Sequence, residues 1–394
     1  MQNHVLITSF YLNSQHFFKK VLSSSNTKSK MGRFFLSILI ILGLSSALKA
    51  EENDSKEKKF NPGELIMEHI GDAHEWHLWG EGERAASIPL PVIVYSKDRG
   101  LDVFSSSHFE HGKKTYKGYR LDHSRLVAVN EMGEINAIDA SENKELTDGL
   151  WDISISKNVV TLLFSCLLML WFFISVARTY VTSGNGAPKG KQSFVEPLIT
   201  FIRDEVAKPS IGPKYEKYVP YLLTVFFFIL VNNLLGLIPI FPGGTNLTGN
   251  IAITMSLALV TLVVVTFTAN KGYWRHIFAM PGIPVGILVI LTPIEILGFL
   301  LRPFVLMIRL FANITAGHII ALSFYSLIFI FGEMNVGLGY GVSVLSIAFT
   351  VFMGFLELLV AFLQAYVFVL LTAMYFGAAI EEHHAHGADH HQTL

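Results

Sequence analysis

The sequence has little charge and almost no cysteine for its length. Charged residues make up 15% of the 394 positions and hydrophobic residues 51%, whereas a soluble domain carries about a quarter charged residues. The one cysteine, Cys166, lies in an apolar run and cannot form an intrachain disulfide. The net charge of −1 gives no indication of a nucleic-acid partner, and none is expected. The composition instead indicates a protein that is embedded in the lipid bilayer.

Long apolar stretches predict membrane-spanning helices, because about 20 apolar residues are needed to cross the hydrocarbon core. The predicted spans are 159–176, 219–240, 251–268, 282–331 and 340–380. At about 1.5 Å per residue, the last two are too long to cross perpendicularly and must tilt strongly. We therefore predict an all-α multi-spanning membrane protein with about five crossings and two long, tilted, antiparallel C-terminal helices.

The first 50 residues are assigned to an N-terminal extension and a signal peptide. Residues 31–50 combine a charged start at Arg33, a short apolar core and a small-residue end at Ala50, which is typical of a secretory signal peptide. Residues 1–30 are either a long charged region of that signal or an extension upstream of a start at Met31. We prefer the second interpretation.

Residues 51–150 are polar, with strand-like patches at 91–95 and 125–129. They predict a small extracytoplasmic domain or a docking arm. Its histidines allow a metal site, although no ligand template is matched. The preferred alternative is an interfacial segment with Trp76 and Trp79 at the lipid headgroups. The three histidines concerned are His69, His74 and His77.

The loop after the first span is rich in positive charge, which predicts that it is cytoplasmic. Its basic residues are Arg178, Lys189, Lys191, Arg203, Lys208, Lys214 and Lys217. Apolar residues in 194–205 recur at helical spacing, so this piece is either an amphipathic helix on the membrane surface or a packed cytosolic helix. The domain 151–380 then lies in the membrane, with residues 51–150 outside and the His-rich tail 381–394 inside.

An arginine at position 309 lies deep within the apolar run 282–331. A guanidinium cannot lose its proton, and holding it at membrane depth costs at least a few kcal/mol. Arg309 therefore predicts a function in handling ions. Arg302, which precedes Pro303, is better explained as a side chain that snorkels to the headgroups.

Polar residues in the last two predicted helices follow a seven-residue spacing that places them on shared faces. Glu295, Arg302 and Arg309 form one such stripe, Asn313 lies one turn further, and His318 faces the opposite side of the helix.

On the last helix Ser343, Thr350, Glu357 and Gln364 form a second stripe. His318 and Glu357 can form a pair that transfers protons, or a structural hydrogen bond.

Three segments resemble subunit a of F-type ATP synthases. They are Arg309-Leu-Phe-Ala-Asn313-Ile-Thr-Ala-Gly317-His318, Leu363-Gln364-Ala365-Tyr366-Val367-Phe368 and Asn233-Leu-Leu-Gly-Leu-Ile-Pro239, within a likeness that covers about 150–380. The resemblance implies a stator subunit in a bacterial inner membrane that contacts a ring of c subunits and the peripheral stalk of b subunits. It also implies that ATP chemistry belongs to other subunits and that no cofactor is needed.

The resemblance implies roles for individual residues. Arg309 faces the ring carboxylates, Gln364 packs near it, and His318 with Glu357 occupies an acid–histidine pair. Asn233 matches a half-channel position, while its amide in hydrocarbon equally suits a link between helices. Gly236 replaces an acid that some members carry. The full predicted proton path comprises His318, Glu357, Gln364, Asn313, Asn233, Glu295, Ser343 and Thr350.

Two other functions are compatible with parts of the sequence. A secondary transporter would bind an anionic solute at Arg309, but it would also predict repeated halves, and none is clear. A non-catalytic anchor would bind metal through the outer histidines.

Overall fold

The computed structural model describes residues 61–79, 86–122, 125–183, 188–238, 243–278, 280 and 282–380. These belong to the compact unit Phe60–Leu394. The other unit, Met1–Lys59, lies outside the described residues, and so do the predicted signal peptide and the His-rich tail.

Residues 61–152 of the described chain form a small mixed domain, named the outer domain after the side of the membrane predicted for it. Its elements are α1 (Pro62–Ile70), β1 (Glu75–Trp79), β2 (Ala86–Pro89), β3 (Pro91–Ser96), β4 (Gly100–Ser105), β5 (Tyr119–Asp122), β6 (Arg125–Ala128), α2 (Lys144–Asp148) and β7 (Leu150–Asp152). The strands pair antiparallel as β1–β2, β4–β3–β7 and β5–β6. Both predicted strand patches are confirmed, as β3 and β6.

The core of this outer domain explains why a polar segment folds. Val92 and Val94 alternate with exposed neighbours on β3 and pack with Phe109, Tyr119 and Leu126. Trp76 is only 4% exposed, so the interpretation of Trp76 as a headgroup anchor is wrong. Its indole is part of the folded domain because β1 pairs with β2.

The rest of the chain is helical. Its elements are α3 (Lys157–Ser183), α4 (Lys191–Phe201), a π-helical segment (Ile202–Ala207), α5 (Lys208–Ile211), a 3-10 segment (Gly212–Lys217), α6 (Val219–Leu237), α7 (Ile251–Thr268), α8 (Lys271–Phe278), α9 (Val285–Met334) and α10 (Val336–Ile380). Five of these, α3, α6, α7, α9 and α10, are long and apolar enough to cross a membrane. The predicted multi-spanning fold is confirmed.

The two C-terminal helices are much longer than a bilayer is thick. At about 1.5 Å per residue, the 50 residues of α9 extend for about 75 Å. The prolines at 293 and 303 lie within α9 and do not end it. In the described part of the membrane region, α9 and α10 carry many large apolar side chains that are exposed at the surface of the protein. A surface that faces lipid requires such side chains.

The cytoplasmic-loop segment packs on the helices rather than standing apart. Ile202, Val206 and Ala207 of the π-helical segment are buried in the same core as Phe226 of α6 and Phe368 of α10. Phe194, assigned by its spacing to the same apolar face, is instead 71% exposed. The next residue, Val195, is the buried one, so the face of α4 that packs on the protein is centred one position further along the helix.

Candidate functional site

Arg309 lies on the outward face of α9. Its neighbours Leu306, Met307 and Leu310 are buried in the helical core, while Ile308 and Arg309 are exposed. Within the described residues, Arg309 makes no hydrogen bond and no ion pair. A permanent cation on an apolar outer surface is therefore available to a partner molecule.

The next turn of α9 is linked to α10 by an amide pair. The Nδ2 of Asn313 donates to Oε1 of Gln364 at 2.8 Å. Gln364 is 3% exposed, and its Nε2 has no hydrogen-bond partner among the described residues. The structure thus brings two predicted site residues together, one helical turn from Arg309.

Two glycines allow close contacts in this region, Gly317 with Glu357 and Gly236 with His318. A Cβ added at Gly317 would lie 2.9 Å from Oε1 of Glu357. A Cβ added at Gly236, on α6, would lie 3.8 Å from Nε2 of His318. Glu357 therefore packs against the residue that precedes His318, and His318 reaches toward α6.

The polar stripe on α10 contains unpaired buried atoms at regular intervals. Oγ1 of Thr350, Oε1 of Glu357 and Nε2 of Gln364 are buried without a partner among the described residues. Ser343, the fourth residue of the stripe, donates instead to the carbonyl of Tyr340 in its own helix, at 2.7 Å. Buried polar atoms without protein partners are normally hydrogen-bonded to water, so this face of α10 suits a file of water molecules.

Asn233 is fully engaged in the protein. Its Nδ2 donates to the carbonyl of Ala361 on α10 at 3.1 Å, and its Oδ1 accepts from the hydroxyl of Thr248 at 2.6 Å. These bonds favour the link between helices over a water-facing amide, which were the two alternatives for this position. Its place in the proton path stays a prediction.

Arg302 and Glu295 lie near the other end of the α9 stripe. The guanidinium of Arg302 donates to the hydroxyl of Tyr273 at 2.6 Å and lies 5.2 Å from the ring centre of Tyr375. Burial raises the pKa of Tyr273, and the nearby Glu295 raises it as well. The hydroxyl of Tyr273 therefore stays neutral and accepts from Arg302. Arg302 is therefore packed between aromatic rings.

Of the three histidines proposed as metal ligands, only His74 has a described side chain. Nε2 of His74 lies 2.8 Å from Oδ2 of Asp152. No group of three or more histidine, cysteine or acidic side chains suited to a metal occurs among the described residues. The side chains of His69 and His77 lie outside those residues, so the metal hypothesis is not tested there.

Three buried polar residues were not predicted as site residues: Thr161 of α3, and Thr245 and Asn246 of the segment between α6 and α7. The two segment residues were missed because loop residues carry no helical period. Asn-containing turns after an apolar helix are a weak signal that could have found Asn246.

The five apolar helices and the polar contacts between α9 and α10 define a multi-pass membrane protein of ion transport. The family model described as ATP synthase A chain matches residues 159–377, more than half of the chain. The chain belongs to this family. Residues 65–152 match a second family model, described as a domain of unknown function.

Several relatives are similar over most of the membrane domain. "ATP synthase subunit a 2" of Chlorobaculum tepidum is 47% identical over 243 residues, covering 60% of this chain and 66% of that protein. "ATP synthase subunit a" of Chlorobium phaeobacteroides (strain DSM 266) is 44% identical over 316 residues, covering 76% and 88%. The protein of the same name from Myxococcus xanthus is 41% identical over 258 residues, covering 62% and 80%. The family predicted from the three sequence segments is confirmed.

Proposed function

We propose that this chain is the stator subunit that carries protons past a rotating ring of c subunits in the membrane sector of an ATP synthase. The observation that supports this most directly is the set of unpaired atoms at Thr350, Glu357 and Gln364. Seven-residue steps place them about 10 Å apart along α10, a spacing that two or three water molecules bridge. His318, Asn313 and Glu295 extend the path on α9.

Arg309 would act as the switch between two half-channels. A ring carboxylate has to be neutral in lipid, because an ionised acid in hydrocarbon is costly. Opposite the exposed Arg309 guanidinium, the same carboxylate is favoured as the anion and gives up its proton. The cation also repels a proton that would cross directly from one half-channel to the other. ATP formation would take place on other subunits, and b subunits of a peripheral stalk would hold this chain still.

We further propose that the outer domain lies outside the cytoplasm of a bacterial inner membrane and that the C-terminus lies inside. The basic loops on one side support this orientation. The coupling ion is a proton in this proposal, because a histidine–carboxylate pair such as His318 and Glu357 can pass protons in both directions.

The test uses the whole ATP synthase in inverted vesicles. Arg309→Ala should abolish ATP-driven proton pumping, and Glu357→Gln should reduce it by about 10- to 100-fold, as the loss of a proton-transfer group does. The control is Ser326→Ala on α9, a buried residue outside the predicted path whose hydroxyl bonds to the carbonyl of Leu322 in its own helix, and it should leave pumping unchanged. Normal pumping by Arg309→Ala in an assembled complex would contradict the proposal.

A further inference from the structure

The outer domain and the first membrane helix are joined by buried polar contacts. Oδ2 of Asp72 accepts from the hydroxyl of Ser156 at 2.8 Å, and its Oδ1 accepts from the backbone N–H of Asn158 at 3.1 Å. The N–H of Lys157 donates to the carbonyl of Ala73 at 2.9 Å. Since Lys157 and Asn158 open α3, the domain is attached at the start of this helix.

One turn into α3, the attachment continues to the segment between α6 and α7. The hydroxyl of Thr161 donates to the carbonyl of Lys157 at 3.1 Å and accepts from the hydroxyl of Thr245 at 2.9 Å. Both threonines are buried. This buried pair needs both hydroxyls, because the hydroxyl of Thr245 would be left without an acceptor if Thr161 lost its oxygen.

Thr245 in turn borders the proposed proton path. Its carbonyl lies 3.0 Å from the position that a Cβ would occupy at Gly236, and Nε2 of His318 lies 3.8 Å from the same position. Three residues later, Thr248 donates to Asn233. The segment 243–250 is thus held directly over the end of the path that contains His318.

The same segment carries a polar side chain without partners. Asn246 is only 6% exposed, and neither its Nδ2 nor its Oδ1 has a hydrogen-bond partner among the described residues. An amide buried in this way normally binds water. Its amide packs against Gly249 of the same segment, where it fills the space that a Cβ would occupy.

We propose that Thr161 and Thr245 are positioning residues, through which the outer domain and α3 hold segment 243–250 as the water-filled opening to His318. Asn246 lines that opening. The inference rests on the proposed proton path and assigns a role to the outer domain, which acts as a brace for one end of that path.

The test starts from vesicles that contain the complete complex. The catalytic sector is stripped from these vesicles, and passive proton conduction through the remaining membrane sector is measured. Thr161→Val should reduce conduction at least 3-fold with normal amounts of complex, and Thr161→Ser should restore it, because serine keeps the hydroxyl. Ser165→Ala is the matched control, since Ser165 is a buried residue of α3 whose hydroxyl bonds only to Leu162 of the same helix. It should conduct as the unmodified complex does.

Thr245→Val provides the second variant if Thr161→Val does not assemble, and it should also reduce conduction at least 3-fold. Unchanged conduction in the assembled valine variants would overturn the inference, and so would a serine variant as impaired as the valine variant. Glu357→Gln is measured alongside. If Glu357→Gln blocks conduction while the threonine variants do not, only the brace is wrong; if Glu357→Gln conducts normally, the proton path itself is wrong.

Discussion

Two arginines on α9 lie seven residues apart, and their surroundings differ. Arg302 is hydrogen-bonded to Tyr273 and lies over the rings of Tyr273 and Tyr375, so its positive charge is stabilised locally by a hydroxyl dipole and two aromatic faces. Arg309 has no hydrogen bond or ion pair to any described residue. The charge that remains available at the outer surface is therefore that of Arg309.

Residue-level prediction succeeded where the helical period applied. The phase of α9 placed Arg309 and His318 on opposite sides, and in the structure Arg309 faces outward while His318 lies close to Gly236. Phase placed Asn313 on the same side of α9 as Arg309, the family likeness placed Gln364 near Arg309, and the two amides are hydrogen-bonded to each other. Phase carries no information about which loop folds over a helix, so the contacts of Thr245 and Asn246 could not be predicted.

Gly317 makes the contact with Glu357 sensitive to one methyl group. In Gly317→Ala the new Cβ would lie 2.9 Å from Oε1 and 3.2 Å from Cγ of Glu357, so the carboxylate has to move. We expect ATP-driven proton pumping to fall by about 10-fold, since displacements of about 1 Å at a reacting group have effects of this size or larger.

Gly354→Ala is the control for this change, because Gly354 precedes Glu357 by one turn of α10 and a Cβ there meets nothing within 4 Å. Pumping should be unchanged in this variant. Equal pumping in both variants would show that the position of Glu357 is not limiting.

At the scale of elements, the third span was predicted at its observed bounds, Ile251–Thr268. The first helix, Lys157–Ser183, begins before and ends after the predicted span 159–176. The second helix ends at Leu237, before the predicted end at 240. Pro293 and Pro303 did not interrupt α9, because neighbouring helices in a membrane protein can satisfy the backbone groups that proline leaves free. The π-helical segment has no sequence signature and was not predicted.

The contact between α10 and α5 depends on a glycine. A Cβ at Gly377 would collide with the carbonyl oxygen of Ser210, which is backbone and cannot rotate away. Gly377→Ala should therefore destabilise the protein by about 1–3 kcal/mol, as overpacking of a core does. The amount of assembled complex and its thermal denaturation measure this loss.

Gly341→Ala serves as the comparison, since it introduces the same methyl group into the same helix with nothing within 4 Å. It should be as stable as the unmodified protein, or slightly more so because alanine favours helix. A Gly377→Ala variant of normal stability would mean that α5 shifts without cost.

For the whole molecule, the stability of the outer domain depends on a carboxylate whose contribution can be tested by pH. Burial alone would raise the pKa of Asp152, but its hydrogen bonds with His74 and Ser154 outweigh burial and hold the pKa below the usual 3.8. Because the folded pKa is lowered, this group stabilises the fold at pH values above its unfolded pKa, and that contribution is lost as pH falls through the folded pKa. Asp152→Asn should cost about 1 kcal/mol at pH 7.

The measurement is the thermal denaturation of the complex, followed by tryptophan fluorescence of the outer domain between pH 3 and 8. The difference between Asp152→Asn and the unmodified protein should be constant from about pH 5 to 8 and should shrink in strong acid. A difference that instead grows in acid would contradict the sign derived from the lowered pKa.

The whole-molecule architecture could be predicted because lipid imposes simple rules on length and hydrophobicity. The outer domain was harder to predict. Its β3 and β6 strands were visible as apolar patches, but the pairing order β4–β3–β7 joins residues far apart in sequence. The contact between Asp72 and the start of α3 likewise spans more than 80 residues, and no local pattern encodes it.

The length of α9 has a consequence for the membrane voltage. A helix of about 75 Å fits within a bilayer of about 40–45 Å only if it is inclined by more than about 50°. The nine residues from Arg309 to His318 then differ in depth by less than about 9 Å, although they are about 13 Å apart along the axis. A charge that moves between these two residues crosses less than about a third of the hydrocarbon core. The electrical work of that movement is therefore less than about a third of the roughly 2.3 kcal/mol per 100 mV for moving one charge across the whole membrane. Most of the electrical work falls on the passages that lead from these residues to the two surfaces.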